Sequence, residues 1–315
     1  MDFKFTPEQE QLRREVREFA LRPDVQKTVQ EIHKLDDHFN AFSKEVYEEL
    51  GSRGWLAIHW PKQSGGEGKT LIEATIVQEE LLYHGVSMGP YGLTIGIFGN
   101  ALLHIGTEEQ KVKYLPGIAK GKTYCCILYT EPNAGSDLAS LVTKAVRDGD
   151  DYVINGTKIF TSQGHLAHYG LLAARTNPNA PKHKGISAFI LDMKSPGIGI
   201  NPMIALSGER VNEISFEDVR VSARSMVGEP EKGWMKLNEA LAVERTSAAT
   251  GWLTEARRML DHICSYVKEK GLGTDKTIRL KLARLETHWQ IGHLLLWRSV
   301  CLTVKGDLPD AEASM

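Results

Sequence analysis

Apolar residues in the first part of the chain recur three and four positions apart. Leu12, Val16 and Phe19 share one helical face, opened by Thr6 as N-cap and Pro7 in the first turn. Val46, Tyr47 and Leu50 mark a second helix over 43–52 that closes near Gly51, and 71–83 reads as a third. Between them, Trp60-Pro61 and Gly65-Gly66-Glu67-Gly68 form a loop. From about residue 123 the period changes to two. Runs rich in β-formers at 124–129, 142–146, 152–154, 158–161, 170–174, 186–191 and 214–219 alternate with turn residues, which predicts a small antiparallel barrel or sandwich. Asn155-Gly156 lies between two of these runs and is expected to be a type I′ hairpin turn. Helical spacing returns near Gly233, where Trp234, Leu237, Leu241, Ala248, Trp252, Met259 and Ile263 share a face. A further helix starts near Asp275 and carries Ile278, Leu282, Leu285, Trp289, Leu295 and Trp297. The fold class expected is α+β and multidomain: a helical domain over 1–122, a central β domain over 123–230 and a helical bundle over 231–315. Its last residues, Ala311 to Met315, read as a bundle interrupted before its end.

Charge and composition then remove whole classes of function. The 315 residues hold 38 Lys and Arg against 40 Asp and Glu, a net charge of −2 that lacks the basic footprint of a nucleic-acid binder. Cys125, Cys126, Cys264 and Cys301 form no CxxC pair, so neither a disulfide scaffold nor a zinc site is indicated. Reduced thiols and a cytoplasmic location are expected, since the N-terminus has no apolar signal segment. The stretch 81–106 is uncharged and long enough to cross a bilayer. Its Pro90, Asn100, two histidines and six glycines argue instead for a buried, closely packed element, and no membrane insertion is expected. His165 and His168 lack the spacing of a helical metal pair, so no metal is expected. Trp55, Trp60, Trp252, Trp289 and Trp297 are expected in the core.

Two places could carry chemistry. The loop Thr130-Glu131-Pro132-Asn133-Ala134-Gly135-Ser136-Asp137 follows a predicted strand, and its small residues and free amides can form an anion-binding concavity. A plain strand-to-loop connection uses the same residue types. On the helix from Gly233, Glu244 lies about 65° from the centre of the apolar face, so its carboxylate can reach a packed interior. Glu255 is comparably placed, and Glu followed by Arg is also an ordinary solvated helix pair.

Taken together, these segments resemble the acyl-CoA dehydrogenase family. The Thr-Glu-Pro-x-Ala-Gly-Ser-Asp run from Thr130 is similar to a family signature. Asn155-Gly156-Thr157-Lys158-Ile159-Phe160-Thr161-Ser162 resembles its flavin-covering strand, and Lys184–Phe189, Ser195-Pro196-Gly197 and Phe216–Val221 follow in the family's order. The resemblance implies a helical domain, a β domain and a C-terminal helical bundle, with FAD bound between subunits. It implies a cofactor-contacting set of Tyr129, Thr130, Gly135, Ser136, Phe160 and Ser162, with Ser136 also near the substrate. Phe160 stands where many members have Trp, and Ser162 where many have Thr. Leu241-Ala242-Val243-Glu244-Arg245 matches the earlier of two places from which members take their catalytic carboxylate. That makes Glu244 the implied base and Arg245 a contact for the CoA portion.

The implied reaction removes the α-proton of an acyl-CoA substrate while the β-hydrogen leaves as hydride, giving the trans-2-enoyl thioester, with electrons passed to an electron-transfer flavoprotein. An oxidase or monooxygenase on the same scaffold, or a non-catalytic partner subunit, is the competing reading. The Gly89–Gly99 stretch is a candidate wall of the acyl pocket, with close helix packing the alternative. The chain departs from the family at Lys268–Thr274, where the usual Arg-x-x-Phe-Gly is missing. Ser207–Ile214 resembles a subgroup acting on bulky thioesters, so a homo- or hetero-oligomer is expected.

Overall fold

The computed structural model describes residues 4–35, 37, 40–307 and 311–312, with side chains throughout these except at 235–248. Six α-helices come first: α1 (Pro7–Ala20), α2 (Pro23–Ile32), α3 (Lys44–Ser52), α4 (Leu71–Tyr83), α5 (Asn100–Ile105) and α6 (Glu108–Ala119). Local chemistry sets their starts. Thr6, Thr70 and Thr107 each cap a helix and are answered by Gln9, Glu73 and Gln110 in capping boxes. Helix α2 adds to the elements expected from periodicity; it begins at Pro23, whose missing N–H costs nothing in a first turn.

The stretch 81–106 ends α4, then forms a π-helical segment, Gly92–Gly99, that runs into α5. Its glycines divide into two kinds. A side chain at Gly99 would strike the ring of Trp60, and one at Gly89 would strike Phe42, so these two allow close packing. At Gly92 no described atom lies within 4 Å of the added carbon, and at Gly96 one carbonyl oxygen lies at 4.0 Å. Within the segment Thr94 is fully buried; it donates to the Cys125 carbonyl (3.2 Å) and accepts from the Cys125 amide (2.9 Å), joining helix to sheet. Among the described residues no helix is long and apolar enough to cross a membrane.

Eight strands follow: β1 (Cys125–Leu128), β2 (Lys144–Asp148), β3 (Asp151–Ser162), β4 (Tyr169–Arg175), β5 (Ile186–Asp192), β6 (Ile198–Ile204), β7 (Arg210–Ser222) and β8 (Met226–Val227). They form one sheet in the order β6-β7-β3-β2-β4-β5-β8, with β1 added on β4. Most pairings are antiparallel, as expected, but β1 and β2 each meet β4 in parallel. The sheet curls so that Cys126, Leu128, Ala145, Ile154, Leu172, Phe189 and Phe216 converge on one interior. The alternate residues of β1, β4 and β5, namely Cys125, Leu171, Ala173, Ala188 and Ile190, pack against the N-terminal helices. These strands are covered on both faces, which is why they read as continuous apolar runs.

The expected hairpin at Asn155-Gly156 is corrected: β3 runs straight through it, and the β2–β3 turn falls at Gly149-Asp150. Asn155 bonds sideways to β7, donating to the Asp218 carboxylate (3.0 Å) and accepting the Asp218 amide (3.0 Å) at a register shift. Gly156 is required because a side chain there would come within 2.8 Å of the Thr143 Cα. A bulge and a tight turn call for the same residue types, so the dipeptide could not distinguish them.

Two long helices finish the chain, α7 (Gly233–Glu269) and α8 (Lys276–Lys305), the second capped by Asp275 as its sequence suggests. Trp55 and Trp60 are buried as expected. Trp252 is not: it is 70% exposed, together with Met259 and Ile263 on the same apolar face. Helix α7 instead turns Thr250, Thr254 and Leu260 inward.

Candidate active site

The loop after β1 is built around a buried ion pair. Glu131 is 3% exposed and Lys158 is fully buried; the Lys158 ammonium donates to the Glu131 carboxylate (2.7 Å) and to the Tyr129 carbonyl (2.9 Å). The second carboxylate oxygen accepts the Val142 amide (2.7 Å), and the first also accepts the Thr143 amide (2.9 Å). Burial alone would raise the Glu131 pKa, but Lys158 and the hydrogen bonds at Thr143 and Val142 outweigh it and hold the carboxyl below its usual range. Burial pushes Lys158 down to about 8, against the pull of Glu131. Glu131 and Ala134 close the loop on themselves by mutual backbone bonds (3.0 and 3.1 Å).

This staple sets what faces outward. The Ile159 amide donates to the Thr130 carbonyl (2.8 Å), so half-buried Thr130 sits against the strand one residue from Phe160. Between Lys158 and Thr161 the strand bulges relative to β7, and Phe160 takes φ 55°, leaving its ring 59% exposed. Half-buried Ser162 follows two positions on, and Gly135 and Ser136 lie exposed on the loop. Tyr129 is buried in the core shared with the helices, its hydroxyl without a hydrogen-bond partner among the described residues, and burial raises its pKa well above the usual value. The structure therefore brings Thr130, Phe160 and Ser162 to one corner of the sheet. Glu244 and Arg245 belong to α7, but their side chains fall outside the described residues.

The corner fits a flat, partly polar cofactor. An exposed aromatic ring stands beside half-buried hydroxyls at Thr130 and Ser162, and a side chain at Gly135 would meet no described atom within 4 Å. The buried side-chain oxygen of Gln163 and the Tyr129 hydroxyl, each next in sequence to a residue of the corner, have no hydrogen-bond partner of their own among the described residues. None of these residues borders the cavity of about 590 Å³ that lies among α1, α4, α7 and α8, lined by Arg13, Glu80, Arg257, Trp289, His293 and Trp297 among others.

Sequence reasoning passes over Glu131, Lys158 and Asn212 as working parts. Lys158 falls on the same alternation as buried Tyr152 and Ile154, a cue to its inward position. Nothing local marks Asn212, which is fully buried on β7.

Three family models match the chain in order: acyl-CoA dehydrogenase N-terminal domain over residues 6–122, middle domain over 126–219 and C-terminal domain over 231–315. The acyl-CoA dehydrogenase FadE29 of Mycobacterium tuberculosis (strain ATCC 25618 / H37Rv) is 36% identical, across 100% of this chain and 81% of that one. The solved structure described as the Tcur3481-Tcur3483 steroid ACAD superposes with a TM-score of 0.90 at 36% identity, covering 99% of this chain and 80% of that one. The ChsE4-ChsE5 complex from Mycobacterium tuberculosis matches with a TM-score of 0.85 at 34% identity, over 100% of this chain and 81% of the other. The chain belongs to the acyl-CoA dehydrogenase family, enzymes that dehydrogenate acyl-CoA thioesters with FAD.

Proposed function

We propose that this chain binds FAD at the Thr130–Phe160–Ser162 corner and oxidises a bulky acyl-CoA thioester to its trans-2-enoyl form, passing the electrons to an electron-transfer flavoprotein. The observation that carries the reading is the hydrogen bond from the Ile159 amide to the Thr130 carbonyl, which holds the hydroxyl-bearing loop against the bulged strand that exposes Phe160. Phe160 would cover one side of the ring system, Thr130 and Ser162 would donate to its polar edge, and Tyr129, Gly135 and Ser136 would border it. When bound, FAD would supply the acceptor for the β-hydride. Ser136 and Arg245 would meet the CoA portion, and Glu244 would take the α-proton; an apolar surrounding would lift that carboxyl towards working pH. Gly92, where a side chain would meet no described atom within 4 Å, and Gly96, where it would meet one carbonyl oxygen at 4.0 Å, are proposed as part of the acyl wall.

A bulky substrate is supported by the likeness to the steroid ACAD, and a shared assembly by the likeness to the ChsE4-ChsE5 complex. The exposed apolar face of Trp252, Met259 and Ile263 supports an oligomer. The test is the visible spectrum of the purified protein after incubation with FAD, then anaerobic titration with a series of acyl-CoA thioesters. Flavin bands that bleach with bulky thioesters are expected. A protein that takes up no FAD overturns the reading, and aerobic peroxide release would replace the dehydrogenase with an oxidase.

A further inference from the structure

Two of the four non-glycine residues with positive φ in the described chain, Phe160 (55°) and Gln163 (56°), bracket Ser162. Such a conformation is strained for a bulky residue and persists only where its surroundings enforce it. On the upstream side the enforcement is the Glu131–Lys158 staple and the Ile159–Thr130 bond. On the downstream side the Leu166 and Ala167 amides donate to the Gln163 carbonyl (2.9 and 3.1 Å), which closes the turn but does not tie it to the sheet.

That tie comes from Asn212, which faces Thr161 in the β3–β7 register and is fully buried. Its amide nitrogen donates to the Thr161 carbonyl (2.9 Å) and lies 3.3 Å from His165 Nδ1. Its carbonyl accepts Arg210 Nε (3.1 Å), and the Arg210 carbonyl accepts the Asn40 amide (2.9 Å) from the helical domain. Both donors and the acceptor of the Asn212 side chain are thus engaged, and only the amide orientation with nitrogen towards Thr161 satisfies all three. His165 must be unprotonated at Nδ1 to accept. Burial first, and Arg210 second, lower its pKa, while Asp37 pulls the other way.

We infer that Asn212 is a positioning residue for the cofactor corner: by bridging the Thr161 carbonyl and the His165 ring it locks the left-handed pair around Ser162, and so sets where the Phe160 ring and the Ser162 hydroxyl stand. The inference rests on the FAD reading above. Asn212 itself is fully buried and presents no surface to the corner. Its amide works because both hydrogens point at the turn, so an acid of the same shape reverses the effect by setting oxygen against oxygen.

The experiment compares wild type with Asn212→Asp, His165→Leu and His165→Asn, the last keeping an acceptor where Nδ1 stands. FAD affinity, the absorption spectrum of the flavin at saturation and hydrogen exchange of the apoprotein are measured. Asn212→Asp is expected to weaken FAD binding by roughly tenfold or more, shift the bound-flavin bands and lose exchange protection at 161–167. His165→Leu is expected to follow in the same direction with a smaller effect, while His165→Asn stays with wild type. A folded Asn212→Asp protein with unchanged affinity, spectrum and protection overturns the inference. Should that variant fail to fold, the His165 pair decides, and equal behaviour of Leu and Asn overturns it. If wild-type protein takes up no FAD, the functional reading fails, and exchange in the apoproteins still shows whether Asn212 holds the turn.

Discussion

The central sheet and the last two helices use apolar residues in opposite ways. Strands β1, β4 and β5 bury alternate side chains into two cores, and Leu171, Leu172, Ala173 and Ala174 in succession are inaccessible. Helices α7 and α8 leave Trp252, Met259, Ile263, Tyr266, Leu280, Ile291 and Leu294 more than two fifths exposed. Strands β1, β4 and β5 are covered by their own chain. The two helices present an exposed apolar surface, of the kind that marks interaction sites in other proteins. Within the sheet a buried charge pair is tolerated because the Tyr129 carbonyl and the Val142 and Thr143 amides surround it, whereas the charges on the helices, such as Arg257 with Asp261 and Glu286, stay near water.

The sharpest way to break this contrast is at Glu131. Glu131→Gln leaves the Lys158 ammonium buried without its counter-charge and is expected to lower stability by about 3–5 kcal/mol in urea unfolding. The same variant changes the acid limb. Because Glu131 is held below its ordinary 4.5, its contribution is present above that pH and is lost as the pH falls through the lowered value. Stability of wild type should therefore drop more steeply below pH 4.5 than that of the variant, and parallel curves would remove Glu131 as the cause.

Next in size is Gly156→Ala, which forces a methyl against the backbone of Thr143 and is expected to cost about 1–3 kcal/mol. A neutral result would mean that β3 can shift at the register break beside Asn155. On the helical side, Asp275→Ala removes the acceptor of the Thr277 and Ile278 amides and is expected to cost about 1 kcal/mol. The smallest effect on folding belongs to the double change Met259→Glu and Ile263→Glu, within about 0.5 kcal/mol because both are exposed. Sedimentation of that variant should nevertheless show weaker association than wild type. Unchanged association would mean that this face does not form the interface.

Much of the candidate site's layout is legible in the amino-acid sequence, and the reason differs from residue to residue. Thr130 and Ser136 stand in a loop of small turn formers after a strand, and Phe160 and Ser162 stand in an alternating run, so their neighbourhood follows from local chemistry. Lys158 and Glu131 sit in the same two segments, yet their pairing requires the loop to fold back over the strand across 27 positions. Asn212 is silent because its partners, Thr161 and His165, come from another strand and its following turn, some fifty residues earlier. The tryptophan at 252 departs from expectation for a different reason. Periodicity says which residues of a helix share a face, but not whether anything covers that face.

What the sequence by itself determined are the properties that depend on near neighbours: helix starts at Thr6, Thr70 and Asp275, the change of period from 3.6 to two and back, and the order of the family's motifs. Only the tertiary structure decided which strands are covered twice, that Asn155-Gly156 bulges instead of turning, and that a buried lysine and a buried asparagine hold the two sides of the Phe160 bulge. These depend on contacts between distant segments, whose free energy exists only once the chain has closed around them.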